Sequence, residues 1–397
     1  MNFDNNKSKK ILYKIIEKTF FSLITFGAVL TTILSLIGLR GINYYYIIVA
    51  LVAIIYLLLI CRYRGKNILI ILLGTSILIQ FFIIKSNNYI DKYNYFTQFY
   101  GLMIIILCFL DTKSIENLKK YIYKKKLTIY IVYMIVCTYY FILFVTKRGF
   151  VTVWDGTYFQ AFYYFPHQVS YILTYVQVIL MILFIIMQSK VKKIIIFFSI
   201  LVTILMNLKT GARITAVTSM IILIPLSFKI IKGKYKTVIM LILLIIELIL
   251  INLNFNVVDF SNLSLIEKFL YSLKKDGGLF GSRSYIWEPL LNVYVNIFDI
   301  SEKFFGKGFG VSNYLNIYIG NDDIWSHNDF LELALSTGMC NLILYITLLV
   351  KLICKYKAYF LLFMIFGIAF INGFFSYFFM SQSLPLMILL YKLIIEI

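Results

Sequence analysis

Charged residues are scarce in this chain. They make up 14% of its 397 residues, where a soluble globular domain carries about 25%, and acids are the smaller share, 18 against 38 Lys and Arg. With 61% hydrophobic residues and a mean hydropathy of +0.88, that composition excludes a soluble cytosolic enzyme and a disordered chain. Cysteine is sparse as well. Cys61, Cys108, Cys137, Cys340 and Cys354 lie in or beside apolar runs with no CxxC pair, which argues against a disulfide scaffold and a thiolate metal site. Histidine occurs only twice. No internal repeat of fixed period is visible, and the connection in the middle of the chain, 188–193, is minimal; a porter built from two six-span halves would place its long inner connection there. Residues 1–18 are polar and basic and lack a small-residue cleavage site, so they are expected to be a cytoplasmic leader.

What is present is a series of long apolar runs. About 20 mostly apolar residues cross the ~30 Å hydrocarbon core as a helix, and helices are required because lipid leaves every backbone polar group to be satisfied internally. Runs of this kind lie near 20–39, 43–61, 67–84, 97–110, 127–146, 167–187, 194–208, 212–231, 236–255, 328–350, 358–379 and 383–395, with 97–110, 194–208 and 383–395 the short ones. The expected fold is all-α: a polytopic bundle of about twelve spans. Nine spans fall within 19–255, three within 328–397, and one large, partly helical loop fills 256–327.

The net charge of +20 would suggest nucleic acid in a soluble protein, but here the basic residues cluster between apolar runs. Of the 38, 25 fall in alternate short segments that share a side with the N-terminus, against seven in the opposite short segments. By the positive-inside rule both termini are cytoplasmic and the loop 256–327 faces outward. No nucleic-acid partner is expected. Within the loop, SLIEKFLYSLKK and RSYIWEPLLNVYVNIF have amphipathic patterning and are expected to lie on or near the membrane surface.

Candidate chemistry gathers at the outer face. His327 stands in WSHNDFLELALSTG at the mouth of the tenth span, and the S-x-x-D spacing of Ser326 and Asp329 predicts a helix start there. The positive end of that helix dipole would disfavour imidazolium, leaving His327 neutral and able to accept a proton; a plain interfacial histidine is the alternative. Arg213, in NLKTGARITAVTSM, sits with Lys209 at an end where basic residues are disfavoured. It is either a snorkelling anchor or a ligand for an anion. Arg283, in GLFGSRSYIWEPL, is either a loop cation paired with an acid or a guanidinium for bidentate phosphate contacts. Gly306, Gly308 and Gly310, with no strand before them, suggest a tight turn and no nucleotide fingerprint. His167 after Pro166 reads as packing, Glu247 deep in the ninth span has no evident partner, and Asp155 is an outer-loop acid. Asp322 and Asp323 lack further evident metal ligands, so no metal and no cofactor are expected.

In their order and spacing over 207–350, TGAR before an apolar span, SRSYIW in the outer loop, GKGFG, and SHNDFLELALSTG opening the next span resemble the O-antigen polymerase (Wzy) and O-antigen ligase superfamily. FPHQVSYIL resembles an earlier segment of that family, while the N-terminal third matches only in hydropathy. TGAR stands where a serine-containing form is commoner. The resemblance implies a metal-independent membrane glycosyltransferase of the cell envelope, active at the extracytoplasmic face on undecaprenyl-pyrophosphate-linked oligosaccharides. It further implies that Arg213 and Arg283 grip pyrophosphate and that His327 is the base, with Lys209, Asn328 and Trp287 as candidate supports. A chain-length regulator and a flippase are candidate partners. Polysaccharide polymerisation is the leading expectation; a ligase with a different acceptor and a lipid-linked oligosaccharide flippase are the alternatives.

Overall fold

In the computed structural model, residues 3–39, 41–59, 67–89, 92–153, 156–163, 165–212, 219, 222–223, 283–319, 326, 328–358 and 383–395 are described. They are mostly helical. Among them six helices are long and apolar enough to cross a membrane: Lys10–Leu36, Ile68–Ser86, Thr112–Val145, Pro166–Ile186, Lys190–Leu208 and Asp329–Lys355. This is the fold of a helical membrane protein. The expected spans at 236–255 and 358–379, and all but a few residues of 212–231, lie outside the described residues, as do 256–282 of the loop.

The chain divides into two compact units. One comprises Met1–Ile24, Ile42–Tyr121 and Asp276–Pro385; the other comprises Thr25–Gly41, Ile122–Lys275 and Leu386–Ile397. Helix α1 (Phe3–Leu36) begins within the expected leader, so residues 3–18 continue directly into the first span. The first unit also contains α2 (Gly41–Leu59), α3 (Asn67–Ser86) and α4 (Lys92–Phe109). α4 carries the short run at 97–110 and is buried on every side from Gln98 to Phe109, so that stretch packs against protein throughout. Helix α5 (Thr112–Val145) is a single helix of 34 residues, about 51 Å long. Its lysine-rich first turns precede the apolar stretch expected at 127–146.

The second unit departs from an all-α bundle by a small hairpin, β1 (Phe150–Val153) and β2 (Gly156–Phe159), paired antiparallel with Phe150 opposite Phe159. FVTV and TYF are rich in the β-branched and aromatic residues that favour strands, and a two-residue connection suits a tight turn. After it come α6 (Pro166–Ile186), started by Pro166 and buried almost throughout, and α7 (Lys190–Leu208), capped by Ser189. α6 and α7 form an antiparallel pair joined by three residues, 187–189.

Of the large loop, 283–319 is ordered as α8 (Arg283–Asn292), a π-helical turn at Val293–Ile297, α9 (Ile300–Phe305) and α10 (Val311–Ile319). It packs in the first unit against α11 (Asp329–Lys355), which is interrupted at Gly338. The closing helix, α12 (Leu384–Ile395), has 12 residues and rises only about 18 Å.

Candidate functional site

The S-x-x-D spacing put the helix cap at Ser326; the cap is instead Asn328, where the span itself was expected to begin. Its backbone is extended, and its side-chain oxygen accepts from the backbone N–H groups of Phe330 at 3.1 Å and Leu331 at 3.2 Å. Asn is as good an N-cap as Ser, and here it frees the buried Ser326 hydroxyl for other partners. That hydroxyl lies 3.0 Å from both the Asn328 carbonyl oxygen and Glu332 Oε2. His327 itself lies outside the described residues. Its two neighbours, Ser326 and Asn328, lie immediately before the first helical residue, Asp329. The helix end at Asp329 is one where backbone N–H groups lack intrahelical acceptors and the dipole is positive.

Trp287 is half-buried, and its indole N–H donates to the Ser326 carbonyl oxygen at 2.6 Å. Beneath this bond Ile286, Leu290, Val293, Phe298, Val311, Leu331 and Leu335 form one apolar cluster, against which Trp287, Tyr294 and Leu315 pack. Leu331 and Leu335 share a face of α11 by their spacing of four, as do Ile286 and Leu290 on α8. The SRSYIW stretch is thereby fastened to the first turns of α11. Arg283 is the first residue of α8, four positions and about 6 Å of helix rise before Trp287.

A second fastening lies deeper. Gly306 and Gly338 both have φ 75°. A Cβ on Gly306 would stand 2.4 Å from the backbone of Ser336, and one on Gly338 would stand 2.2 Å from the Phe304 carbonyl oxygen. The interruption at Gly338 releases carbonyls from the α11 ladder, and the GKGFG turn takes them up: Lys307 N–H donates to Leu335 O at 2.9 Å and Gly308 N–H to Ser336 O at 2.8 Å. Gln80 of α3 adds amide bonds to the Phe305 and Thr337 carbonyl oxygens.

In the second unit α7 runs into the TGAR motif. Lys209 caps the helix, and its carbonyl accepts from Phe159 N–H of the hairpin at 2.8 Å. The Thr210 hydroxyl donates to Asn207 O at 2.7 Å and receives Ala212 N–H at 3.3 Å. Gly211, at φ 71°, lies under the Tyr158 ring, where a Cβ would come within 2.4 Å of Cε1. Buried Asn207 donates to the Thr174 hydroxyl at 3.0 Å and the Ser219 hydroxyl at 2.6 Å, and Gln177 donates to Ser219 O at 2.7 Å. Arg213 itself lies outside the described residues, as do Trp154, Asp155, Glu247, Asp322 and Asp323. His167 is the second residue of α6, and its carbonyl accepts the Ser170 hydroxyl at 2.6 Å.

Glu332 was not singled out from sequence. It is fully buried, and the Ser336 hydroxyl at 2.7 Å, the Ser326 hydroxyl at 3.0 Å and Ser312 of α10 all bond its carboxyl group. An acid inside an apolar span was its one local signal; its serine partners come from three different stretches of chain. Among the described residues no three His, Cys, Asp or Glu side chains gather as metal ligands. In comparisons with known proteins, no family model, curated protein or solved structure matches this chain.

Proposed function

We propose that the chain is a polysaccharide polymerase of the O-antigen polymerase and ligase type. It transfers a glycan from undecaprenyl pyrophosphate to the sugar of another lipid-linked repeat unit at the extracytoplasmic face of the cell membrane. The single observation that carries the reading is the 2.6 Å bond from Trp287 to the carbonyl of Ser326. It fastens two of the motifs behind the resemblance, SRSYIW and SHND, so that the helix opened by Arg283 packs beside the residue preceding His327. The Thr210–Gly211 turn before Arg213 is supporting, as a built structure ahead of the other arginine. In this reading the bundle has about twelve spans, both termini are cytoplasmic, and 256–327 is the outer loop.

In the reaction His327 accepts the proton of the acceptor hydroxyl as its oxygen bonds to the anomeric carbon. The bond from that carbon to the pyrophosphate oxygen breaks, and the lipid pyrophosphate departs with the electron pair. Arg213 and Arg283 hold the charge that develops on it, through paired N–H donors that a lysine does not supply. Asn328 and Trp287 keep the turn around position 327 in place, and Lys209 adds positive charge near Arg213.

The test uses full-length protein in nanodiscs, a synthetic undecaprenyl-pyrophosphate-linked repeat unit and excess chelator. Wild-type protein should elongate the glycan, His327→Ala should give no product while remaining in the membrane, and Arg213→Lys and Arg283→Lys should each lose most activity. Elongation by His327→Ala at the wild-type rate, or no transfer by the wild type to either a lipid-linked or a non-lipid glycan acceptor, overturns the proposal.

A further inference from the structure

Apart from Val311 and Leu315, which join the apolar cluster, helix α10 is built inside out. A helix on the surface of a water-soluble domain buries its apolar stripe and shows its polar face to solvent. α10 buries Ser312, Asn313 and Asn316, and exposes Tyr314, Ile317 and Tyr318 at 54%, 51% and 81%. Its polar side meets α11, where Ser312 bonds the carboxyl group of buried Glu332. α9 buries no side chain and also exposes apolar ones, Ile300, Phe304 and Phe305. The charges that accompany them are occupied: Lys307 Nζ lies 2.9 Å from Glu302 and 4.8 Å from the centre of the Phe298 ring, and Lys303 Nζ donates to the Val295 carbonyl at 2.7 Å.

Depth points the same way. α3 has 20 residues, a length of about 30 Å that matches the hydrocarbon core. Gln80, which bonds Phe305 O, is six residues, about 9 Å, inside the Ser86 end of α3. Gly338, pressed against Phe304, is nine residues, about 14 Å, inside the Asp329 end of α11. Gly308 lies against Ile83 and Asn87, and Phe309 packs on Phe96, Phe99 and Tyr100 of α4. At the level of Gln80, α3 itself exposes Leu78, Phe81 and Phe82, so the apolar face of 300–319 continues a surface of the same kind on a spanning helix. The polar, exposed pair Asp299 and Ser301 marks the point where the segment leaves water.

We infer that 304–319 is a re-entrant element, entered from water at Asp299–Ser301. It dips into one leaflet from the side on which α3 ends and α11 begins, and Phe304, Phe305, Tyr314, Ile317 and Tyr318 contact lipid hydrocarbon while the polar face of α10 covers Glu332. The element is a lipid-binding surface and not part of a water-facing loop. This holds whether or not the chain transfers glycans.

The test is collision accessibility of a spin label in full-length protein reconstituted into phosphatidylglycerol–phosphatidylethanolamine nanodiscs, with the native cysteines replaced by serine. Labels are placed singly at Ile317→Cys, Tyr318→Cys and Tyr314→Cys, with Ser301→Cys as the aqueous reference. All four positions are exposed, so at least one membrane-facing variant is expected to fold. The ratio of oxygen to nickel-chelate accessibility should be several-fold higher at 314, 317 and 318 than at 301. A ratio equal to that at 301 places the face in water and overturns the inference. Labels shielded from both reagents overturn it too, because the face is then covered by protein, such as a second copy of the chain.

Discussion

Gly338 and Gly211 both have positive φ, 75° and 71°, but they are pressed against different things. Behind Gly338 is the main chain of Phe304 and Phe305; behind Gly211 is the ring of Tyr158. In the first unit a broken span is closed by backbone on backbone. In the second, the turn before Arg213 is closed by side chains, with Asn207 and Gln177 donating to Ser219 and Asn207 also donating to Thr174. A main-chain neighbour has no rotamer to change, whereas a side chain has several. The first junction therefore has the sharper requirement for glycine and the second the broader tolerance.

Breaking both junctions with one methyl group tests that difference. Gly338→Ala puts a side chain at φ 75°, ψ 172°, a region almost confined to glycine, at a cost of about 1–3 kcal/mol, plus an overlap at 2.2 Å that only main-chain displacement relieves. It should give the largest loss of the series, visible as little folded protein by thermal-shift assay and size exclusion in detergent. Gly211→Ala also puts a side chain at positive φ but meets a ring that can be altered. In a Tyr158→Leu background the damage from Gly211→Ala should shrink, with a coupling of about 0.5–3 kcal/mol in a double-mutant cycle. No single side-chain truncation should do the same for Gly338→Ala. Equal rescue at both sites would erase the distinction.

The same contrast separates what was legible in the sequence from what was not. The helices of α1, α3, α5, α6 and α7 follow from hydropathy because lipid enforces it residue by residue, and the three glycines of GKGFG signalled a turn because few other residues take positive φ. The break in α11 gave no such signal. Hydropathy runs unbroken across LALSTGMCNLILY, and what makes Gly338 necessary is Phe304, 34 positions earlier. The cap was misplaced by two residues because Ser326, Asn328 and Asp329 are all competent caps, and the choice rests on Ser326 having Glu332 and Trp287 as partners. Lysines at the start of α5 obscured a helix that continues beyond the apolar stretch. The hairpin at 150–159 was written in alternating β-branched and aromatic residues, a local signal masked by the all-helical expectation for the bundle. Of the three residues proposed to do the chemistry, the sequence supplied the type and order, while the bond from Trp287 to Ser326 became visible only in three dimensions.

A milder substitution sharpens the comparison on the Arg283 side. Trp287→Phe keeps most of the ring on the Leu290 and Leu331 cluster but removes the N–H that reaches Ser326 O. A bond of that kind contributes about 0.5–1.5 kcal/mol net, so stability should drop modestly. Transfer activity should fall more than stability does, because the lost bond lies one residue from His327. If the fall in activity merely tracks the folded fraction, Trp287 is a packing residue alone.

The smallest effect belongs to the start of α9, where the re-entrant segment leaves water. Asp299 accepts from the Glu302 N–H at 2.8 Å and from the Ser301 hydroxyl at 2.8 Å, and Glu302 Oε2 reciprocally accepts from the Asp299 N–H at 3.0 Å. The Glu302 backbone bond, followed by the Ser301 hydroxyl, holds the Asp299 carboxyl group below its ordinary range. A carboxylate with a depressed value stabilises the folded state above its unfolded value, and that contribution is lost as the pH falls through the folded one. Amide exchange over 300–305, compared at matched chemical exchange rates, should therefore be insensitive to pH near neutrality and lose protection only in acid. Asp299→Asn, which can still cap a helix but carries no titrating charge, should remove the acid step while keeping most of the protection. The clamp at Gly338 is made of main-chain bonds, neither partner of which titrates, so the bonds from Lys307 and Gly308 to α11 should keep their protection through the same acid range. Simultaneous loss of both would mean that α9 and the clamp unfold as one unit, and that the main-chain junction depends on the surface cap.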